Sequence, residues 1–408
     1  MAADDAKIID LIKARPADAG PFVSFEFFPP RTDDGVANLL KRLDRMAAQE
    51  PLFTDFTWGA GGSTADLTYQ LTLEAQKRGL LPNMHLTCTN MDAALIKKAL
   101  DDCKANGIRN ICALRGDPPV GSDNWSATEG GFNCALDLIA YMRAEYGDYF
   151  GISCAGYPEG HPNRIKKVEA GRVLTATEEG RKVTLMEKVE VEGGGGGGGG
   201  DGAEETAEEE EVTYVCGDAD FEEELAYLKQ KVDAGAEFIM TQMFFDPAVF
   251  TAFVAACRAY GIAVPIVPGL MCIQAKGGFN RMTGFCRSRV PAALKAEVNA
   301  CTDDTATKVV GVAHGAATCS AIQGVVPGFH FYTLNLEKVT LGIVRELGLA
   351  KATDEEALAY AAAKQESIFG ATAATAAASA DAPLSEDAEA ASMMKGTTMG
   401  GTDNVKRA

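Results

Sequence analysis

Eight strand-like runs, each followed by an amphipathic helix, constrain this chain more than any other feature. The runs are FVSFEF (22–27), FTDFTW (53–58), MHLTC (84–88), ICALR (111–115), FGISCAG (150–156), FIMTQMF (238–244), PIVPGL (265–270) and GFHFYT (328–333). Between them, apolar residues recur at helical spacing. One set is Val36, Leu39, Leu40 and Leu43, and another is Phe221, Leu225, Leu228 and Val232. A third runs Phe250, Phe253, Val254 and Cys257, opened by Asp246-Pro247 and stopped by Gly261; a fourth is Val339, Ile343 and Leu347 before Gly348. This spacing puts each set on one helical face, and the caps and stops agree with it. Eight βα units predict a (β/α)8 TIM barrel over residues 1–350. An open doubly wound sheet would need a glycine fingerprint after its first strand. FEFFPPRT has none, and the one G-x-G-x-x-G match is an oligo-Gly run with no strand or helix around it.

Two segments stand apart from this alternation. Residues 163–219 interrupt it after the fifth strand. They hold eight consecutive Gly (193–200), and between Glu187 and Glu211 there are ten acids against one Lys. A segment that acidic and glycine-rich is expected to be a solvated low-complexity insertion. GRVLTATEEGRKVTLMEKVEVE, in front of the glycines, alternates like a short hairpin. The tail, 351–408, is rich in Ala, Ser, Thr and Gly. EEALAYAAAKQESIF is expected to form one helix and the remainder to be disordered.

Composition excludes several classes. The 57 acidic residues outnumber the 38 Lys and Arg for a formal charge of −19, which argues against a nucleic-acid partner. No apolar run approaches the roughly 18 residues a membrane span needs, and the acidic N-terminus is not a secretory signal. Eleven scattered Cys with no CxxC point to a reducing, cytoplasmic setting. None of the four His is paired at helical ligand spacing, so no metal site is expected. A homo-oligomer is compatible with the chain.

A barrel of this kind carries its site at the C-terminal ends of the strands. Those ends collect Glu26, Thr57, His85, Arg115, Asp117, Tyr157, Gln242 and Tyr332. Alternation in the first strand puts Val23, Phe25 and Phe27 on one face and Ser24, Glu26 and Phe28 on the other. Glu26 is therefore a carboxyl group within an aromatic run. It is either satisfied by backbone donors or an Arg, or kept protonated by burial as a general acid. Asp117 closes the fourth strand in ALRGD, where the plain alternative is a turn with an Arg–Asp contact.

The blocks SFEFFPPRT, FTW, HLTC, NGIRNICALRGDPP, GGFN, AGYPEGHP, LKQKVDAGAEFIMTQMFFD, PIVPGL and FHFYTLN, in that order, closely resemble the methylenetetrahydrofolate reductase family over about 20–162 and 220–348. The resemblance implies a barrel that binds FAD, takes hydride from NADH or NADPH, and reduces 5,10-methylenetetrahydrofolate to 5-methyltetrahydrofolate. It implies Glu26 as the acid that protonates the departing folate nitrogen and Asp117 as the carboxylate beside flavin and pterin. It assigns flavin contacts to Thr57, Trp58, His85, Arg115, Gly116, Asp117, Ala135, Tyr157, His161, Glu224 and Lys231. Folate contacts fall to Glu26, Asp117, Gln242 and Tyr332. The chain departs from the family pattern at Asn163, Glu224, Cys134 and Leu336. The residues after 350 are too few and too simple for the regulatory domain of larger relatives, so a catalytic barrel alone is expected. Two other readings stay open. A flavin-free barrel aldolase or lyase would need a Schiff-base Lys or metal ligands at strand ends, and a non-catalytic scaffold would not need Glu26, Asp117 and Gln242 together.

Overall fold

The computed structural model describes residues 6–16, 18–58, 64–117, 127–189 and 208–369. Its strands are β1 (Phe22–Phe27), β2 (Thr54–Phe56), β3 (Pro82–Thr87), β4 (Asn110–Leu114), β5 (Gly151–Gly156), β6 (Ile165–Lys167), β7 (Val183–Val189), β8 (Glu208–Cys216), β9 (Phe238–Thr241), β10 (Ile266–Val267), β11 (Gly269–Met271) and β12 (Gly328–Tyr332). Nine of them form one parallel sheet in the order β10-β9-β5-β4-β3-β2-β1-β12-β11. The ninth strand arises because the seventh predicted run is split at Pro268, which has no N–H to continue a ladder. β10 pairs with β9 (Ile266↔Ile239) and β11 with β12 (Leu270↔Phe331). The two halves are one residue apart, so the sheet closes on itself as the expected TIM barrel.

Helices cover the outside. Val23, Phe25 and Phe27 of β1 face outward and pack with Leu39 and Leu43 of the helix Asp33–Ala47. Capping side chains start these helices: Thr32 accepts from Gly35 N (3.1 Å), Asp92 from Leu95 N (2.8 Å) and Asp246 from Ala248 N (3.0 Å). Inside, the bottom of the barrel is apolar. Phe22, Phe53, Phe238 and Val267 meet Ile8, Ile9 and Ile12 of the helix Ile8–Ala14, which plugs that end. Asn110 secures the plug by accepting from Ile8 N (2.8 Å) and donating to Ala6 O (3.1 Å).

The 163–219 interruption is folded over most of its described length, so it is not low-complexity throughout. β8 pairs antiparallel with both β6 and β7. The hairpin expected in front of the glycines does not form there: that stretch holds the helix Ala176–Arg181 and the strand β7, whose partner β8 follows the glycine run. A capping box at Thr175 and Glu178 starts the helix Ala176–Arg181. Ile165, Val183, Val212, Tyr214 and Cys216 make this sheet a small core of its own. Arg287 clamps it to the barrel by donating to the carbonyls of Pro162 and Ile165 and lying 4.9 Å over the Tyr214 ring. The glycine run and its neighbours, 190–207, lie outside the described residues.

In the tail, the expected helix is Asp354–Phe369. It packs on the helix Asp33–Ala47, and Gln365 donates to Asp44, which pairs with buried Arg78 at 2.9 Å. Residues 370–408 lie outside the described residues.

Candidate active site

The inward positions change character along the barrel axis. Above the aromatic floor comes a layer of Ser24 (β1), Asn83 (β3), Ser153 (β5) and His330 (β12), with Asp55 (β2) beside them, all buried. Strand register builds this layer, since Ser24 sits opposite His330 and Asp55 opposite both Glu26 and Asn83. Glu26 and His85 stand one inward position further up.

Asp55 is the hub. Its Oδ2 accepts from Asn83 Nδ2 (3.2 Å) and lies 3.0 Å from His85 Nε2. Glu26 Oε2 lies 3.7 Å from His85 Nε2 and 3.6 Å from His330 Nε2. Burial alone would depress the His85 pKa, but the Asp55 hydrogen bond and the Glu26 charge outweigh it and hold the pKa above the ordinary value. His330 bonds Ser24 Oγ through Nδ1 (2.9 Å) and stacks 5.6 Å from Phe53. The close ionisable neighbours of Glu26 are two imidazoles and an aspartate. Donor atoms of Glu26, Asp55 and His85 lie within 4.8 Å of one another. Asp55 Oδ2 is already shared by the Asn83 and His85 bonds, so the cluster reads as a hydrogen-bonded network.

The remaining predicted residues ring the mouth. His85, Tyr157 and Gln242 line one cleft with Cys112, Leu114, Ala155, Met240 and Thr241. Gln242 is oriented by Met243 N, which donates to its Oε1 at 2.9 Å. Tyr157, Glu224 and Lys231 line the adjoining cleft against Phe221 and Phe253. Lys231 donates to Ala155 O (2.8 Å), Glu224 pairs with Arg164 (2.7 Å), and the Tyr157 and His161 rings are 4.8 Å apart. Thr57 and Trp58 follow directly on β2, both buried, and the indole Nε1 of Trp58 has no partner among the described residues. Ala135 is buried at the first turn of the helix Ala135–Tyr146.

The turn after β4 holds Arg115, Gly116 and Asp117. Gly116 has φ +92°, and a Cβ there would sit 2.4 Å from Thr89 Oγ1, so only glycine fits. Thr89 Oγ1 donates to the carbonyls of Arg115 (3.2 Å) and Asp117 (2.9 Å) and fixes the turn. Burial pushes the Asp117 carboxyl up to about 7, against the pull of Arg115. Residues 118–126, next to it, lie outside the described residues.

Tyr332 faces inward, but its hydroxyl is committed to the Thr241 carbonyl across the break in the seventh strand. Gly269 makes the passage possible: a Cβ there would lie 2.0 Å from the Tyr332 hydroxyl. Tyr332 therefore ties β12 to β9. Sequence reasoning missed Asp55, Asn83 and His330. It also missed Glu159, 3% exposed, which accepts from Arg289 N (3.2 Å). Burial, and secondarily Asp246, push the Glu159 carboxyl up to about 8.

No helix among the described residues is long and apolar enough to cross a membrane. The family model described as methylenetetrahydrofolate reductase matches residues 11–190 and 212–348, leaving out most of the acidic Gly-rich run. A probable NADH-type methylenetetrahydrofolate reductase of Oryza sativa is 44% identical over 346 residues, 84% of this chain and 51% of its own. An NADH-type relative from Arabidopsis thaliana is 42% identical over the same shares. The chain thus spans about half the length of these plant relatives. A 5,10-methylenetetrahydrofolate reductase of Pectobacterium carotovorum is 31% identical over 80% of this chain and 90% of its own. With the family's blocks lining one barrel mouth, the chain belongs to the methylenetetrahydrofolate reductase family.

Proposed function

We propose that this barrel reduces 5,10-methylenetetrahydrofolate to 5-methyltetrahydrofolate with electrons from NADH or NADPH, delivered through bound FAD. The observation that carries the reading is the placement of Glu26. It is a buried carboxyl at the strand ends, beside the cleft that His85, Tyr157 and Gln242 line. The residues suit the flavin. Lys231, His161 and Arg115 are the donor types a pyrophosphate and ribose need, and the buried Trp58 N–H faces no protein acceptor among the described residues. Bound there, FAD supplies the two-electron redox step.

The chain's own groups supply the rest. The methylene bridge of the folate must be freed from one nitrogen, an aryl amine that leaves poorly unless protonated. Glu26 donates that proton. Ring opening leaves an iminium cation, which the Asp117 carboxylate stabilises. With its carboxyl near 7, Asp117 changes charge close to neutral pH. Gln242, its amide oxygen fixed by Met243 N, holds the pterin. The test is spectroscopic. Purified protein should be yellow, its visible band should bleach on adding NADH or NADPH without air, and methylenetetrahydrofolate should restore it. A colourless protein that binds no added FAD would refute the reading in favour of a flavin-free lyase.

A further inference from the structure

The turn Arg287–Arg289, between the helices Lys276–Cys286 and Ala292–Ala300, lines neither cleft, yet it bonds to the loops that form both. We propose that Arg287 and Arg289 are positioning residues: with the small sheet behind them, they fix the loop that carries Tyr157 and His161 and the stretch that carries Gln242. The inference rests on the proposed function above and extends it to residues outside the clefts.

The loop after β5 is held from two sides. On one side lies the small sheet. Gly160 has φ +95°, and a Cβ there would sit 2.6 Å from both Cβ and Sγ of Cys216, the last residue of β8. Only glycine lets loop and sheet approach so closely. On the other side lies the turn. Arg289 N donates to the buried Glu159 carboxyl (3.2 Å), and the Arg287 guanidinium donates to the carbonyls of Pro162 (3.2 Å) and Ile165. His161 sits between these anchors. Asn163 N donates to its Nδ1 (3.1 Å), so a neutral ring carries its proton on Nε2. The orientation of that ring is therefore set by backbone that Arg287 grips.

The same turn reaches the loop after β9. Ser288 Oγ donates to Met243 O (3.5 Å), and Met243 N is the donor that orients Gln242. Arg289 Nε donates to Asp246 (2.8 Å), which caps the helix Pro247–Ala259. A second nitrogen of that guanidinium donates to the carbonyls of Glu179 (3.3 Å) and Lys182 (3.1 Å), at the C-terminal end of the helix Ala176–Arg181. Carbonyls at a helix end lack partners within the helix, and a cation suits the negative end of its dipole. One planar fork thus joins the inserted sheet to the Gln242 side, a geometry that a single ammonium cannot reproduce.

The backbone points the same way. Arg287 is left-handed, φ +49° and ψ 50°, at a helix C-terminus where glycine is the usual residue. A side chain with a Cβ is disfavoured there. What the strained position provides is the guanidinium, set against Pro162 and Ile165 and 4.9 Å over the Tyr214 ring of β8.

The experiment uses the full chain, stripped of flavin and titrated with FAD. Arg287→Gly removes the clamp and relieves the backbone. Its melting temperature should hold or rise, while its FAD affinity falls by about tenfold, the scale of one or two lost hydrogen bonds. Arg287→Lys, which restores one donor, should recover part of that loss. With no ligand present, amide exchange in 157–165 should quicken in Arg287→Gly. Arg289→Gln gives up the ion pair with Asp246. With FAD saturating, its KM for methylenetetrahydrofolate should rise by about 3–10-fold while kcat stays, the split expected when positioning of the bound substrate is lost. Unchanged FAD affinity and exchange in Arg287→Gly would overturn the proposal, whatever its melting temperature, and would make Arg287 a structural clamp only. So would an unchanged KM in Arg289→Gln. If the wild type neither binds FAD nor reduces folate but exchange in 157–165 still quickens in Arg287→Gly, the proposed function fails and the positioning of this loop stands.

Discussion

The barrel interior has two storeys built by the same strands, and they solve opposite problems. The lower one is Phe22, Phe53, Phe238 and Val267, closed by Ile8, Ile9 and Ile12. The upper one is Glu26, Asp55, Asn83, His85 and His330, buried just as completely. One inward step along a strand, about 6–7 Å, separates a layer that gains free energy by leaving water from one that loses it. Glu26 Oε2, Asp55 Oδ1, Asn83 Oδ1 and His330 Nε2 are all buried without a hydrogen-bond partner. Buried polar atoms left in that state cost stability, so the upper storey is retained for what it does and the lower one supports it.

The sharpest way to break that division is to mutate each storey and watch for leakage. Phe238 has no exposed surface and packs edge-on to Phe53 at 6.1 Å. Phe238→Ala should cost about 3–5 kcal/mol of stability, the usual range for a buried aromatic, seen as a lower denaturant midpoint. The ratio of the two half-reaction rates in the folded fraction should not change. A selective loss of the folate step would mean that the floor also tunes the chemistry.

Glu26→Gln is the converse. It preserves shape and removes the proton. Folate reduction should fall by about 10²-fold or more, close to 3 kcal/mol of transition-state stabilisation, while flavin reduction by the nicotinamide survives. The midpoint should hold or rise. Equal losses in both half-reactions would make Glu26 a structural residue.

The storeys were unequally legible in the sequence. Strand positions came from composition and alternation, which are local, and β1 has the faces its alternation predicts. Glu26 was visible because a carboxyl group inside SFEFF is out of place. Asp55 and His330 also lie in aromatic strands, FTDFTW and GFHFYT, but nothing local separates them from an exposed position. Asp55 meets His85 across the β2–β3 pairing, and His330 reaches Ser24 and Glu26 only through ring closure, which joins residues about 300 apart by the β1–β12 register. The split at Pro268 was hidden for the same reason: PIVPGL reads as one strand until its halves find different neighbours. Inside the interruption, the acidic composition of 187–211 concealed a ladder that Tyr214, Val212 and Val183 hold together.

A smaller effect tests buried carboxyls away from Glu26. Glu159 is held up to about 8 in the fold, against about 4.3 unfolded. The folded state thus keeps a proton that the unfolded chain has released. The resulting stability is complete below about pH 4 and is lost as pH rises through about 8. Asp117, held up to about 7, has the same sign. The wild-type melting temperature should therefore fall between pH 6 and 9, and Glu159→Gln should flatten that decline by a few degrees. A steeper decline in the variant would show that Glu159 is ionised in the native protein.

The smallest effect is expected where the family match stops. β7 and β8 are in register to their last described pair, Val189↔Glu208. Two residues suffice to close such a ladder, and Asn-Gly is the natural choice. Replacing 190–207 by Asn-Gly removes the whole glycine run and shortens the loop by about three doublings, worth roughly 2 kcal/mol of closure entropy. That gain belongs to opening of the small sheet, not to the barrel. Amide exchange should slow within 183–189 and 208–216, while the barrel's melting temperature and flavin content stay as they were. The sheet is clamped through Arg287 at Pro162 and Ile165, just past His161. If the shortened chain loses flavin, the glycine segment reaches back over the cleft near His161, and the small sheet belongs to the cofactor site instead of standing beside it.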